Sequence, residues 1–292
     1  MKKSMGGRIF DGFNTILMLF IIFITAYPIY YVVVASFSDP GELSKHAGAL
    51  WAPLEPLTLS AYRMLFKNPL ILSGLGNTVL VLAAGLTVNM ILTVFGAYFL
   101  TIKGPMLKNV ITFMIIFTMY FSGGLVPSYL NIKDLGLLDS LWALILPGAI
   151  NTTNLIILKS GFQAVPESLR ESATLDGATH LQILTKIMLP LTKATLAVLV
   201  LYYAVAHWNS WFNASIYLRS SEKYPLQLVM RKILQMTTSQ AMAEGAGMDE
   251  AAKVADLIKY ALIVVSTAPI LCIYPFLQKY FIKGTMIGAV KG

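Results

Sequence analysis

The chain has 292 residues, of which 57% are hydrophobic and only 12% charged, with a mean hydropathy of +0.70. A soluble domain carries about a quarter charged residues, so a soluble enzyme, a disordered chain and a nucleic-acid module all fit poorly, and the composition is that of a membrane protein. The net charge of +8 would suit an anionic partner, but the placement of the charges along the chain explains it better.

Six windows contain no Asp, Glu, Lys or Arg over the roughly 18 residues or more needed to cross the hydrocarbon core, and each predicts a transmembrane helix. The first, 12–38, follows Lys2, Lys3 and Arg8. Its apolar run is too long for a signal peptide and has no convincing cleavage site, so it reads as a retained helix. A long loop leads to the second window, 68–102, and a very short one to the third, 109–132. The fourth is 140–158. A charged segment, 159–193, separates it from the fifth, 194–218. Another long loop, with an amphipathic stretch at Leu226–Met236, precedes the sixth, 260–278, which holds the single cysteine, Cys272. No internal disulfide is possible, and no repeat of 20–50 residues is visible. The expected organisation is a helix and external loop over 1–70, a transmembrane core over 71–281 and a cytoplasmic tail over 282–292.

Orientation follows from the loops. With the N-terminus inside, segments 1–12, 102–108, 159–193 and 279–292 hold 12 Lys/Arg and 4 Asp/Glu, whereas the outer segments hold 10 of each. The whole net charge then lies on the cytoplasmic side, as the positive-inside rule expects.

Several chemistries are missing from the sequence. There is no GxxxxGK[ST] loop, no GxGxxG, no GxSxG and no HExxH. His46, His180 and His207 fall in three different compartments of the topology, so no metal site is expected. No charge lies in the middle of a span, where an ion-coupled transporter keeps one. If the protein drives transport, the energy enters from another subunit.

Segment 159–193 reads as a short elbow of two helices. Pro166 stops the preceding helix, Glu167–Thr174 form the first arm, Gly177 interrupts, and a second arm bearing Leu181, Ile183, Leu184, Ile187 and Met188 runs to Pro190. Physics alone leaves open an interfacial helix pair. Glu171-Ser172-Ala173, Asp176-Gly177-Ala178 and Ile187-x-Leu189-Pro190 nevertheless resemble the EAA loop of ABC-importer permeases, with Ser172 in place of the first alanine. Gly76-Asn77-Thr78, Trp208-Asn209, Phe281-Ile282-Lys283-Gly284 and Gly288–Gly292 resemble the smaller permease of the sugar-uptake type. Phe121–Pro127 resembles a branch associated with complex, often uronate-containing oligosaccharides.

The resemblance implies an all-α permease with six transmembrane helices and the type I ABC importer fold, in a bacterial cell membrane with both termini cytoplasmic. It would perform no catalysis. ATP and Mg would bind to two partner ATPase subunits, and a second permease and an external solute-binding protein would complete the complex. Glu171, Ser172, Ala173, Asp176, Gly177 and Pro190 would couple the chain to the ATPase. Trp208, Asn209, Trp211, Tyr120 and Asn151 are candidates for a sugar path, because aromatic faces stack on sugars and amides bond hydroxyls. An interfacial aromatic belt and interhelical hydrogen bonding are the competing accounts of these five. The alternative for the whole chain is a stand-alone secondary transporter or channel.

Overall fold

A computed structural model describes residues 5–104, 106–243, 257–272 and 275. Among them every regular element is helical. They fall into two compact units, one formed from 1–69 with 232–268, the other from 70–231 with 269–292. The tail at 282–292, Lys2 and Lys291 lie outside the described residues.

In the first unit, α1 (Met5–Ser36) is a 32-residue helix with an apolar, outward-facing surface, as a lipid-facing span requires. The chain then turns sharply. Ser38 Oγ donates to Val34 O at 3.0 Å and accepts from Leu54 N at 3.1 Å. Asp39 caps the short α2 (Pro40–Lys45) by accepting from Gly41 N and Glu42 N. Val34, Ala35 and Leu50 form a small core, and Ala61 of α3 (Ser60–Lys67) is buried with Leu257 and Ala261 of the helix Leu257–Cys272.

The second unit is organised by α4 (Pro69–Thr101), whose buried face runs Gly74, Thr78, Val81, Gly85, Asn89, Thr93, Ala97, Thr101. The near four-residue spacing puts small and hydroxyl residues on one stripe, the pattern that lets transmembrane helices approach closely. Three elements pack around the C-terminal half of α4. These are α7 (Thr152–Gln163), the helix α9 (His180–Leu191) and the start of α10 (Lys193–Trp208), meeting Ala97, Tyr98 and Leu100. Leu155, Leu158, Phe162, Leu184, Met188 and Leu199 fill that core.

Three of the charge-free windows are broken helices. The third consists of α5 (Lys108–Tyr120) and α6 (Leu125–Asp134), which meet at 119° across Phe121–Gly124, with Gly124 at φ +92°. In the fourth, 3-10 turns over Leu141–Gly148 bend by 48° into α7. The fifth ends as a helix at Trp208 and resumes as α11 (Trp211–Tyr217). Only α1 and α4 are single helices long and apolar enough to span, and counting each bent pair as a span gives up to five among the described residues. The sixth window is described only as far as Cys272, apart from residue 275. Counting charges finds spans but not their breaks, because the Gly, Pro, Asn and Ser residues at the interruptions are as uncharged as the helices around them.

Candidate functional site

The elbow opens with α8 (Glu167–Leu175), which has no buried residue, although Ala173 is half-buried against the core. Pro166 at ψ 131° turns the chain before it. Glu167 pairs with Lys103, and that bond holds its carboxyl below the usual carboxylate range. Asp176 caps the far end, Gly177 N donates to Thr174 O at 3.1 Å and Ala178 N to Ala173 O at 2.9 Å. This is the Schellman arrangement, which needs a left-handed residue at Gly177, and its φ is +77°. A Cβ there would meet nothing within 4 Å, so the requirement is one of backbone conformation and not of close approach.

Thr179 then starts α9 with a capping box. Its hydroxyl accepts from Gln182 N at 3.3 Å and its own N–H donates to Gln182 Oε1 at 2.8 Å. Leu184–Met188 widens into a π turn before Pro190, whose missing N–H cannot close an ordinary α turn. Beyond Leu191 the chain bends by 84° into α10. A recess of about 430 Å³ lies between α8, α9 and the end of α4, lined by Tyr98, Arg170, Glu171, Leu175, His180 and Ile183, among others. Tyr98 hydroxyl and His180 Nδ1, 3.2 Å apart, tie its two walls. The structure thus brings Glu171, Ser172, Ala173, Asp176 and Gly177 together on one exposed arm, with Pro190 on the arm rooted in the core.

A buried polar seam joins α4, α10 and the break in the fourth window. His207 Nε2 lies 2.6 Å from Asn89 Oδ1. Asn89 Nδ2 donates to Gly148 O at 2.7 Å and Ala149 O at 2.9 Å, carbonyls freed by the 3-10 turn. One turn below, Thr93 and Tyr203 hydroxyls are 2.7 Å apart, and Tyr203 accepts from Asn151 N at 3.1 Å. Irregular backbone at membrane depth needs internal partners, and Asn89 and Tyr203 supply them. Of these residues only Asn151 was expected at a polar site inside the spans; Asn89, Thr93, Tyr203 and His207 were not. Their signal was the spacing Gly85, Asn89, Thr93 on one helix and Tyr203, His207 on another.

The remaining candidates separate. Trp208 is 5% exposed and belongs to the interior. Asn209 is exposed and caps α10, its amide donating to Val205 O at 2.9 Å. Asn151 caps α7 by accepting from Asn154 N at 3.0 Å. Tyr120, the last residue of α5, is 86% exposed. Trp211 lies beneath Arg231, whose guanidinium carbon is 3.6 Å from the ring centroid.

Segment 219–226 is pinned at two points, to the start of α4 and to Asp139. Asn77 Nδ2 donates to Glu222 O and Tyr224 O, and Thr78 Oγ1 accepts from Leu226 N at 2.8 Å. Asp139, at φ +56°, accepts from Ser220 Oγ, Ser220 N, Arg219 N and Lys223 Nζ. The Ser220 hydroxyl bond, followed by the other donors, holds its carboxyl far below the usual range. No group of three or more His, Cys, Asp or Glu able to hold a metal occurs among the described residues.

A family model described as "Binding-protein-dependent transport system inner membrane component" matches residues 93–287. Protein LplC of Bacillus subtilis is 40% identical over all of this chain and 98% of its own length. The polygalacturonan/rhamnogalacturonan transport system permease protein YtcP of the same organism is 41% identical over 99% of this chain and all of its own. Among solved structures, a bacterial ABC transporter involved in the import of the acidic polysaccharide alginate superposes with a TM-score of 0.85 at 33% identity, over 96% of this chain and 99% of that one.

Proposed function

Because the chain belongs to the family of binding-protein-dependent transport system inner membrane components, we propose that it is one of two permeases lining the path of an ATP-driven importer of acidic oligosaccharides. Membership of that family displaces the reading as a stand-alone transporter. The observation that carries the mechanism is the elbow. Arm α8 buries none of its own residues, while arm α9 is locked into the core through Ile183, Leu184 and Met188. A docking subunit that grips α8 would therefore move α9, α10 and the seam at Asn89 and His207 as one body. Two ATPase subunits would supply the grip and the energy, and an external binding protein would deliver the sugar. The charge asymmetry supports a cytoplasmic elbow. The acidic character of the cargo is supported by the relatives named for polygalacturonan and alginate.

The test is reconstitution in proteoliposomes with the partner permease, the ATPases and the binding protein. ATP-dependent uptake of oligogalacturonides that disappears when any component is omitted is the expected result. Uptake by this chain alone, or a complex whose ATP hydrolysis ignores binding protein and sugar, overturns the reading.

A further inference from the structure

Arg231 lies in the first half of α12 (Leu226–Ala243), a helix held firmly at its start. Leu226 and Val229 pack on Gly74, where even a Cβ would come within 3.2–3.3 Å of them, and Leu226 N bonds Thr78. Leu226, Leu228, Val229 and Met230 are buried, while Arg231 is exposed. Its guanidinium lies over the Trp211 ring at 3.6 Å, and Trp211 is itself braced edge-on by Phe212, with centroids 5.5 Å apart. Among the described residues no carboxylate pairs with Arg231. Asp139, the acid that pins segment 219–226, is committed to Ser220 and Lys223.

We propose that Arg231, stacked on Trp211, binds the carboxylate of a uronic-acid unit at the outer entrance of the path. The assignment rests on the acidic-oligosaccharide reading above and deepens it. A guanidinium held over an indole still has N–H groups directed away from the ring, and these match a carboxylate with two parallel hydrogen bonds. The contact with the ring restrains the side chain in advance, so less of its freedom is lost on binding. Neutral sugars and methyl-esterified uronates lack the anion and gain nothing from this edge. The pair therefore acts as a charge filter beside a stacking surface.

The experiment measures, in the full reconstituted importer, the ratio of uptake of oligogalacturonide to that of its fully methyl-esterified form. For Arg231→Gln the ratio is expected to fall roughly tenfold, the loss of one charge-assisted contact. Arg231→Lys, which keeps the charge but not the planar edge, should lie between it and the wild type, and it decides the matter if the Gln variant fails to assemble. A ratio unchanged in Arg231→Lys and, where it assembles, in Arg231→Gln overturns the assignment while leaving the importer reading intact. Wild-type complex that imports neither form overturns the oligosaccharide reading and this assignment with it.

Discussion

Gly85 leaves room for the His207 ring. A Cβ on Gly85 would come 2.5 Å from His207 Nε2 and 2.6 Å from its neighbouring ring carbon, so Gly85→Ala must displace the ring from Asn89. The carbonyls of Gly148 and Ala149 then share a donor that has lost its orientation. Leaving such groups unsatisfied costs about 1–3 kcal/mol, more than the ~0.6 kcal/mol average for interhelical hydrogen bonds in membranes. Gly85→Ala and Asn89→Leu are accordingly expected to lower the thermal midpoint of the detergent-purified complex, and His207→Gln less so. Midpoints equal to that of the wild type for all three would show the seam to be dispensable. Asp139 makes a prediction with a sign. Its carboxyl is depressed in the folded state, so its contribution to stability is fully present above the ordinary carboxylate range and is lost as pH falls through the folded value. The gap in midpoint between wild type and Asp139→Asn should be constant from pH 7 down to about pH 5, then shrink in stronger acid. A gap that closes already near neutrality would contradict the clamp.

At the scale of elements, the elbow was the most legible part of the chain. Pro166, Gly177 and Pro190 mark its ends and its turn, and all three act through backbone rules that need no tertiary partner. The structure adds why Gly177 stands there: the turn is left-handed, with open space around it. A left-handed conformation costs a side-chain-bearing residue about 1–2 kcal/mol, and asparagine tolerates it best. Gly177→Leu is therefore expected to abolish uptake while the subunit still inserts, with Gly177→Asn retaining a substantial part. Glu171→Lys should also abolish uptake, by reversing a charge on the exposed arm beside the recess. Normal sugar-stimulated ATP hydrolysis in both Glu171→Lys and Gly177→Leu would reduce the elbow to a surface anchor. The breaks at 121–124, 148–151 and 209–210 were not legible from charge-free windows. The one at 148–151 takes its donor from far away in sequence, Asn89 for Gly148, and no local count reveals that. Trp208 shows the same limit: an aromatic residue at the expected depth suits either a path or a core, and its burial favours the core.

At the scale of the whole molecule, orientation decides whether the elbow can meet an ATPase at all. The positive-inside rule counts Lys and Arg in short loops. On the proposed topology the inner segments carry 12 of these and 4 acids against 10 and 10 outside, although two of the outer segments are long and so weigh less in the rule. Impermeant thiol labelling in intact cells tests this, with the native Cys272 replaced by serine. Lys186 and Lys45 are the informative positions. Lys186 is exposed on the elbow, and Lys45 is exposed at the end of α2, where it pairs with Glu42. Lys223 is a poorer choice, because its ammonium is bound to Asp139 at 3.0 Å and a cysteine there would release the clamp. Lys45→Cys should label from outside and Lys186→Cys only after the membrane is opened. Labelling of position 186 in intact cells would put the elbow on the wrong side for any ATP-driven partner. It would overturn the coupling scheme even if every contact within the elbow stood as described.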